Sequence, residues 1–202
     1  IPHAAANVDG ADLLVYTAAI LPGNPEIARA RELGIPCVER SVMLGYVQRL
    51  YKKSICVSGT HGKTTTTGMI TQILEMAGRD PAAVIGGKLP LIHGYGKSGS
   101  GDNIVVESCE FSNTFLHLTP YTSIILNIDD DHLDYYESID AIVAAFDRFL
   151  ALLPENGTFI ACTDDFRVKA LADKSARKVI TYGLNGGDYT AADIAFDEKG
   201  NA

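Results

Sequence analysis

The sequence contains no tryptophan, three methionines and four cysteines among its 202 residues. It also lacks any apolar run close to the roughly 18 residues that a membrane-spanning helix needs, and no signal peptide opens it. The cysteines stand singly in apolar segments, at Cys37, Cys56, Cys109 and Cys162. We therefore expect buried, reduced thiols rather than disulfides or a metal cage. Together these absences favour a soluble, cytoplasmic protein.

Positive charge is scarce as well. Lysine and arginine together number 17, against 25 for aspartate and glutamate, which gives a net charge of −8 at pH 7. This balance argues against nucleic acid as a partner. Hydrophobic residues make up 47% of the sequence, which is enough to build one large core or two modest ones.

Short apolar runs alternate with helical patterns along the chain. The runs predict strands over residues 12–17, 35–38, 55–58, 82–85, 103–107, 122–128, 158–162 and 179–182. The helical patterns cover residues 25–33, 41–51, 63–76, 139–153 and 166–172. This alternation predicts an α/β fold with a mostly parallel sheet and helices on both faces.

Residues 1–49 contain too few predicted strands and helices to form a complete domain. We expect residues 1–49 to be the end of a Rossmann-like domain, and residues 50–202 to be most of a second, P-loop-type domain that is incomplete at its C-terminal end. The chain opens without methionine, and a hairpin turn near its end has no returning strand. Both ends are therefore expected to continue in a longer protein.

The most informative segment is residues 54–67, where an apolar run leads through a glycine-containing turn into a helical pattern. Gly59 and Gly62 would let the backbone curl, so that its N–H groups converge on phosphate oxygens. The helix that follows would direct its positive end at the same anion. Lys63 could then reach the β- and γ-phosphates of a nucleotide, and the Thr64 hydroxyl could bind Mg²⁺.

This segment is shorter than the usual phosphate loop, which would place its first glycine at position 57, where Val57 stands. A chance Gly-Lys-Thr in a surface turn is the alternative. The order of strand, turn and helix favours phosphate binding. At the junction of loop and helix, Lys63 is expected to be exposed and to contribute little to packing.

Two acidic segments follow predicted strands. One begins at Glu107 and includes Glu110, and the other contains the aspartates at 129–131, His132 and Asp134. Ligands in open α/β sheets bind beyond the carboxyl ends of the strands, so both segments should face the phosphate loop. Carboxylates at such a point suit Mg²⁺, whereas imidazole is less typical of it. A solvated turn with helix-capping acids is the alternative for residues 129–134.

Three separated motifs in this order resemble the muramyl ligase family of peptidoglycan synthesis. The phosphate loop of that family has the pattern G-T-x-G-K-T, and residues 59–67 match the version with histidine at the variable position and a run of threonines. Residues 106–116 are similar to its acidic strand segment, and residues 126–134 to its N-I-x-x-D-H-x-D signature. Residues 18–26 resemble the end of its first domain. The resemblance covers nearly the whole chain.

The resemblance implies an ATP-dependent ligase that joins L-alanine to UDP-N-acetylmuramate through an acyl phosphate. It implies ATP and two Mg²⁺ sites, which Mn²⁺ could also fill, and neither a nucleic-acid partner nor membrane insertion. The nucleotide-binding residues carried over to this sequence are Gly59, Thr60, His61, Gly62, Lys63, Thr64 and Thr65. Thr64 would hold one ion, and Glu107 and His132 the ion that bridges the γ-phosphate and the substrate carboxylate. Lys63, Glu107 and His132 form the implied catalytic set.

Relatives that add later amino acids carry a carbamylated lysine at the metal site, some turns beyond the histidine. This chain has no lysine between His132 and Lys169, which fits the alanine-adding branch. The resemblance also implies that the adenine-side segment and the domain that brings the amino acid lie outside the chain. No alanine-binding residue is therefore identified.

Three other functions fit part of the pattern. A muramyl-type ligase that recycles murein tripeptide would share all three motifs. A P-loop kinase or NTPase would explain the phosphate loop but not the acidic segments in family order. A nucleotide-binding module without activity of its own would need only the loop.

Other residues are assigned to the sugar side of the site. Asn24 and residues 17–20 are expected near the UDP-sugar. Lys88 and the glycine-rich residues 94–101 could line the same side. For residues 94–101 the glycine content favours a flexible hairpin loop.

Overall fold

A computed structural model describes residues 1–21, 23–130 and 133–195, which form two sheets with flanking helices. The strands are β1 (Leu14–Tyr16), β2 (Cys37–Glu39), β3 (Lys53–Ser58), β4 (Ala82–Leu89), β5 (Gly94–Lys97), β6 (Asn103–Glu107), β7 (Thr122–Ile125), β8 (Thr158–Cys162), β9 (Lys178–Gly183) and β10 (Tyr189–Thr190). The α-helices are α1 (Pro25–Glu32), α2 (Arg40–Gln48), α3 (Lys63–Met76), α4 (Leu133–Tyr136), α5 (Ile139–Leu150) and α6 (Phe166–Lys174). Short 3₁₀ helices cover Ala5–Val8, Pro90–Ile92 and Phe111–His117.

Eight strands form the large sheet, in the order β10-β9-β8-β7-β3-β6-β4-β5. Neighbouring strands are parallel except for β5, which runs antiparallel to β4. β3 lies between β6 and β7, with Val57 opposite Glu107 and Ser58 opposite Ile125. The carboxyl ends of these three strands therefore meet at one edge of the sheet. The predicted α/β fold with a mostly parallel sheet is confirmed.

Successive residues of the central strands point to opposite faces of the sheet, and each face has its own apolar cluster. On one face, Cys56, Val106 and Ile125 belong to the larger cluster, which also contains side chains of α5 and α6. On the other face, Val57, Val105 and Ile124 pack with Ile70 and Leu74 of α3. Strands buried on both sides explain the continuous apolar runs of the sequence. The helices lie on both faces, as predicted.

The N-terminal residues form a small unit in which β1 and β2 pair in parallel, with α1 between them in the chain. Helix α1 begins where predicted, because the Asn24 side chain accepts hydrogen bonds from the N–H groups of Glu26 and Ile27, and Pro25 occupies the first turn. Helix α2 then leads from β2 into the large sheet. The division at residue 49 stays a prediction.

The buried side chain of Gln48 fastens α2 to the large sheet. Its Nε2 donates to Ser54 Oγ at 2.8 Å and to Cys56 Sγ at 3.2 Å, and its Oε1 accepts from the Thr119 N–H at 2.9 Å. A buried amide with partners on both β3 and the segment before β7 keeps the end of α2 in a fixed position.

The segments over residues 94–97 and 126–128 differ from the predicted secondary structure. Residues 94–97 are not part of a flexible hairpin loop, since Gly94–Lys97 forms the edge strand β5, whereas residues 98–101 lie outside any strand. Glycine is required there for space, because a Cβ at Gly96 would lie 2.7 Å from the Ala83 carbonyl oxygen. The strand predicted over 122–128 ends at Ile125, because the following residues turn toward the loop after β3.

All four cysteines are free thiols, as predicted, but only Cys56 is buried. Cys37 and Cys162 are partly exposed, and Cys109 lies at the surface. The burial predicted for Cys109 was wrong, because the chain leaves β6 two residues earlier. Among the helices in the described ranges, none is long and apolar enough to cross a membrane.

Candidate functional site

The loop between β3 and α3 has the curled backbone that its glycines predict. Gly59 has φ = 130° and Gly62 has φ = 84°, which are backbone angles that residues other than glycine rarely adopt. Space is also limited at Gly59, where a Cβ would lie 3.1 Å from the backbone N and O atoms of Asn127. We call residues 59–64 the phosphate loop.

Helix α3 begins immediately after this loop. Gly62 is its N-cap residue and has no side chain to cap the first turn. The first N–H groups of a helix have no acceptor within the helix, so those of Lys63, Thr64 and Thr65 are directed out of its N-terminus. This end of α3 can attract an anion through its N–H groups and through the helix dipole. Thr65 is exposed at this end.

Asn127, in the segment after β7, clamps the loop. Its backbone oxygen accepts from the Thr60 N–H at 3.0 Å. Its side chain accepts from the His61 N–H at 2.7 Å and donates to the His61 carbonyl oxygen at 3.1 Å. The Thr60 hydroxyl also accepts from the Asp129 N–H at 2.8 Å. The motif around residue 127 was noted in the sequence, but this clamping role of Asn127 was not.

Glu107 ends β6 and lies beside the phosphate loop. Its Oε1 accepts from the Thr64 hydroxyl at 2.9 Å, and its Oε2 accepts from the Gly86 N–H at 2.6 Å. A Cβ at Gly86 would lie 2.5 Å from Glu107 Oε1, and one at Gly87 would lie 2.7 Å from Thr64 Cγ2. The two glycines of β4 therefore allow close approach to both side chains. Nothing in the sequence pointed to Gly86.

The oxygen atoms beside the phosphate loop are ligands that fit a hard divalent cation. Thr64 and Glu107 supply a hydroxyl and a carboxylate oxygen 2.9 Å apart at the mouth of the loop. Mg²⁺ is commonly held by one or two such protein oxygens, with phosphate and water completing its shell. Within the described ranges no group of three or more His, Cys, Asp or Glu side chains forms a metal cage. The fit is thus to a cation shared with a phosphate ligand.

Lys63 was expected to be exposed, but its side chain is only 13% accessible. Its Nζ donates to the carbonyl oxygens of Gly59 at 2.7 Å and Thr60 at 3.1 Å. It also contacts both carboxylate oxygens of Glu110, at 3.0 and 3.1 Å, and the Glu110 side chain is only 3% accessible. The lysine is drawn inward because this nearly buried carboxylate requires a charged partner.

The segment that carries Glu110 is tied to α4. The Tyr136 hydroxyl donates to the Glu110 carbonyl oxygen, and Asn113 Nδ2 donates to the Tyr135 hydroxyl at 3.0 Å. Burial, followed by the charge of Glu110, raises the pKa of Tyr136, so its phenol remains a donor. Partial desolvation likewise raises the pKa of the nearby Cys109 thiol, which does not favour a thiolate nucleophile.

The second acidic segment is described only in part. His61 Nε2 lies 3.8 Å from Asp129 Oδ2, and hydrogen bonds from Asp130 lower the pKa of Asp129. Asp131 and His132 lie outside the described residues, and so does the side chain of Asp134. The structure therefore brings together Gly59, Gly62, Lys63, Thr64 and Glu107, while the position predicted for His132 stays a prediction.

Residues assigned to the sugar side fall in two places. Thr17, Ile20 and Asn24 line a cavity of about 430 Å³ in the N-terminal unit, although Asn24 Oδ1 is engaged in capping α1. Lys88 lines a groove together with Thr64 and Thr65. Residues 94–97 instead form the sheet edge.

The chain matches two family models. Residues 57–202 match the Mur ligase middle domain, and residues 1–52 match the model described as the Mur ligase family, catalytic domain. A UDP-N-acetylmuramate–L-alanine ligase of Caldanaerobacter subterraneus subsp. tengcongensis is 45% identical over the whole chain. The chain spans 44% of the length of that relative.

Solved structures agree with this match. The UDP-N-acetylmuramate–alanine ligase of Thermotoga maritima is 31% identical, with a TM-score of 0.81 over 94% of this chain and 43% of its own. A MurF ligase from Thermotoga maritima, solved in complex with ADP, has a TM-score of 0.68 over 91% of this chain and 50% of its own. At 18% identity, that second likeness shows the fold alone.

Proposed function

The chain belongs to the Mur ligase family, and from this premise we propose that its protein joins L-alanine to UDP-N-acetylmuramate at the expense of ATP. The relative named in this way is 45% identical along the whole chain. Because the chain spans less than half of that relative, the activity and both substrates are proposals. Such a reaction would serve peptidoglycan synthesis in the bacterial cytoplasm.

One observation carries the proposal. Lys63 and Thr64, at the start of α3, contact Glu110 just after β6 and Glu107 at the end of β6, at the carboxyl edge of the sheet. A cationic side chain, a metal-binding hydroxyl and unsatisfied helix N–H groups at one point are the parts that a triphosphate needs. Neither a structural turn nor an anion site for a simple salt would need Glu107 beside Thr64.

In this proposal the phosphate loop, residues 59–64, and Thr65 bind ATP. Lys63 neutralises charge at the β- and γ-phosphates. Thr64 would hold one Mg²⁺ or Mn²⁺, and Glu107 with His132 would hold a second. A bound cation would offset the repulsion between the substrate carboxylate and the triphosphate.

The chemistry needs no side-chain nucleophile. A carboxylate is a poor acyl donor, so the muramoyl carboxylate first attacks the γ-phosphorus of ATP, forming an acyl phosphate and releasing ADP. The amine of L-alanine then attacks the acyl carbon, loses a proton, and inorganic phosphate leaves. The residues of this chain orient the triphosphate and stabilise charge at the transferring phosphoryl group.

We assign residues 1–49 to the UDP-sugar domain and residues 50–202 to the central ATP-binding domain. The cavity lined by Thr17, Ile20 and Asn24 then faces the UDP-sugar, and Lys88 its muramoyl end. We do not assign residues 94–101 to the sugar side, because Gly94–Lys97 forms the edge strand that pairs with β4.

The test is an assay of the complete gene product with ATP, Mg²⁺ and UDP-N-acetylmuramate, in which phosphate release is measured with each amino acid in turn. We expect release with L-alanine and little with the others. Release driven by L-alanyl-γ-D-glutamyl-meso-diaminopimelate instead would indicate a tripeptide-recycling ligase. Release without the UDP-sugar would indicate a different NTPase and would overturn the proposal.

A further inference from the structure

The ammonium group of Lys63 has all of its donors engaged inside the protein. It carries three protons, and its Nζ lies within 3.1 Å of the Gly59 and Thr60 carbonyl oxygens and of both Glu110 oxygens. A phosphate oxygen that binds Lys63 must therefore replace at least one of these acceptors. Among them, only Glu110 is an anion like the phosphate.

The two partners differ in how firmly they are held. The Glu110 backbone is fixed from two sides, because its carbonyl oxygen accepts from the Tyr136 hydroxyl and from the Asn113 N–H at 2.9 Å. Its side chain is 3% accessible. Lys63 has a flexible four-carbon side chain. If the contact breaks, Lys63 is the partner that can move.

The neighbouring pair gives a useful contrast. Thr64 and Glu107 are also in contact, but both offer oxygen ligands to cations, so both can take part in the same complex with a phosphate ligand. Glu110 and a phosphate cannot share Lys63 in this way without bringing two anions together. The pair of Lys63 and Glu110 is therefore arranged for exchange rather than for joint binding.

We propose that Glu110 is a positioning residue of the nucleotide site, which holds Lys63 in the phosphate loop until a triphosphate displaces it. This inference rests on the proposed function, because it requires that the loop bind a nucleotide. Glu110 keeps the ammonium group within the loop when the site has no anion. It also lowers the affinity for nucleotide, since its contact with Lys63 must be given up and its charge stays close to the phosphates.

The first test measures binding of Mg·β,γ-methylene-ATP to the complete gene product by titration calorimetry. Glu110→Gln keeps the shape of the side chain but removes its charge, and we expect Kd to fall about three- to ten-fold, since a neutral amide holds the Lys63 ammonium group less strongly than a carboxylate does. A residue with only a structural role would leave Kd unchanged or raise it, and either result would overturn the inference. Glu75→Gln is the matched control, because Glu75 lies at the far end of α3 and pairs with Lys97 of β5.

A second measurement uses the unmodified protein, in case Glu110→Gln does not fold. A crystal structure with the same nucleotide should show Lys63 Nζ bound to a phosphate oxygen and beyond hydrogen-bond distance of at least one Glu110 oxygen. If Nζ keeps both carboxylate contacts while phosphate is bound, the inference fails and the proposed function stands. If the unmodified protein binds no nucleotide, both fail.

Discussion

Two glycine-containing segments of this chain have different structural roles. In the phosphate loop, Gly59 and Gly62 have positive φ angles, and a Cβ at Gly62 would meet nothing closer than 3.4 Å. Gly99 and Gly101, just beyond the edge strand β5, are not among the positive-φ residues, but a Cβ there would lie 2.3 and 1.9 Å from backbone oxygens of Asp80 and Arg79.

Positive φ angles therefore require glycine in the phosphate loop, with limited space as a further reason at Gly59, whereas close packing alone requires it at Gly99 and Gly101. The difference also appears in the lysine of each segment. Lys63 contacts the nearly buried carboxylate of Glu110 at the N-terminus of α3, whereas Lys97 pairs with Glu75 and Asp80 beside the sheet edge. Glycine content alone does not identify a ligand loop; the positive φ angles and the following helix do.

The largest effect is expected from Lys63→Ala. This change removes the charge at the transferring phosphoryl group, so turnover of the complete gene product should fall by at least about 100-fold. Lys97→Ala should leave turnover within about three-fold of the unmodified protein, since its partners Glu75 and Asp80 lie away from the phosphate loop. Both are measured by phosphate release. If both variants lost turnover equally, the phosphate loop would not differ in function from the segment around Lys97.

Lys63→Ala also removes the lysine that contacts the nearly buried Glu110, which lowers the free energy of unfolding. Assays must therefore be run well below the melting temperature, which circular dichroism would determine. A folded Lys63→Ala variant with near-normal turnover would contradict the assignment of the phosphate loop.

Gly86→Ala should weaken the metal site. The added Cβ would lie 2.5 Å from Glu107 Oε1 and must displace that carboxylate from Thr64. Since groups that orient metal ligands typically affect affinity 10- to 100-fold, the Mg²⁺ concentration for half-maximal turnover should rise by about ten-fold or more. Gly94→Ala is the matched control, because no atom lies within 3.6 Å of its added Cβ. An unchanged metal requirement in Gly86→Ala would show that Glu107 is not needed there.

Gly101→Ala should reduce stability without reducing nucleotide affinity. Its Cβ would lie 1.9 Å from the Arg79 carbonyl oxygen, so the backbone must shift. Forced overpacking of this kind costs about 1–3 kcal/mol, which urea unfolding would measure. The Kd for Mg·β,γ-methylene-ATP should stay within about two-fold. A large loss of affinity in a folded variant would indicate that residues 94–101 contribute to the site after all.

Acid should loosen the edge segment through Asp80. Hydrogen bonds from Lys97 and then Ser100 hold the pKa of this carboxyl well below its usual range. A depressed folded-state pKa stabilises the protein above the usual value near 4, and this contribution is lost as the pH falls toward the folded-state pKa. The stability difference between the unmodified protein and Asp80→Asn should therefore be largest above pH 5 and should narrow below pH 4. Urea unfolding across this range measures it, and a constant difference would contradict the expected role of Asp80.

The smallest effect is expected from Gly68→Ala within α3. Its Cβ would make an ordinary 3.7 Å contact with Leu89 Cδ1, so the added methyl group fits. Replacing a helix-interior glycine that has a normal φ should stabilise the fold by about 0.5–1 kcal/mol. Thermal unfolding would check the sign, and destabilisation would show that α3 tolerates no change on this side.

The sequence predicted those features that depend on neighbouring residues. The bounds of α3 and β6 were correct, because a glycine turn precedes α3 and polar residues flank the apolar run of β6. The glycine-containing turn before α3 was predicted for the same reason. The contacts from Lys63 to Glu110 and from Gly86 to Glu107 join residues 47 and 21 positions apart. Such contacts depend on strand order, which no local pattern specifies.

The edge strand β5 was missed for a related reason. Few of its residues have the apolar or β-branched side chains that indicate a strand. It forms because its backbone pairs with β4, and the same small residues that suggested flexibility allow that approach. In contrast, Asn127 stands out in the sequence because it follows an apolar run. Its hydrogen bond with His61 could not be predicted, because that bond depends on β7 lying beside β3.

The most direct test of the central claim locates the bound nucleotide and metal. Mn²⁺ and β,γ-methylene-ATP would be added to the isotopically labelled complete gene product, and paramagnetic broadening of backbone amide signals followed by NMR. We expect the amides of Thr64, Gly86 and Glu107 to broaden first and most strongly, with those of Gly99 and Gly101 broadened far less. Broadening centred on residues 94–101, or none near Thr64, would contradict the account.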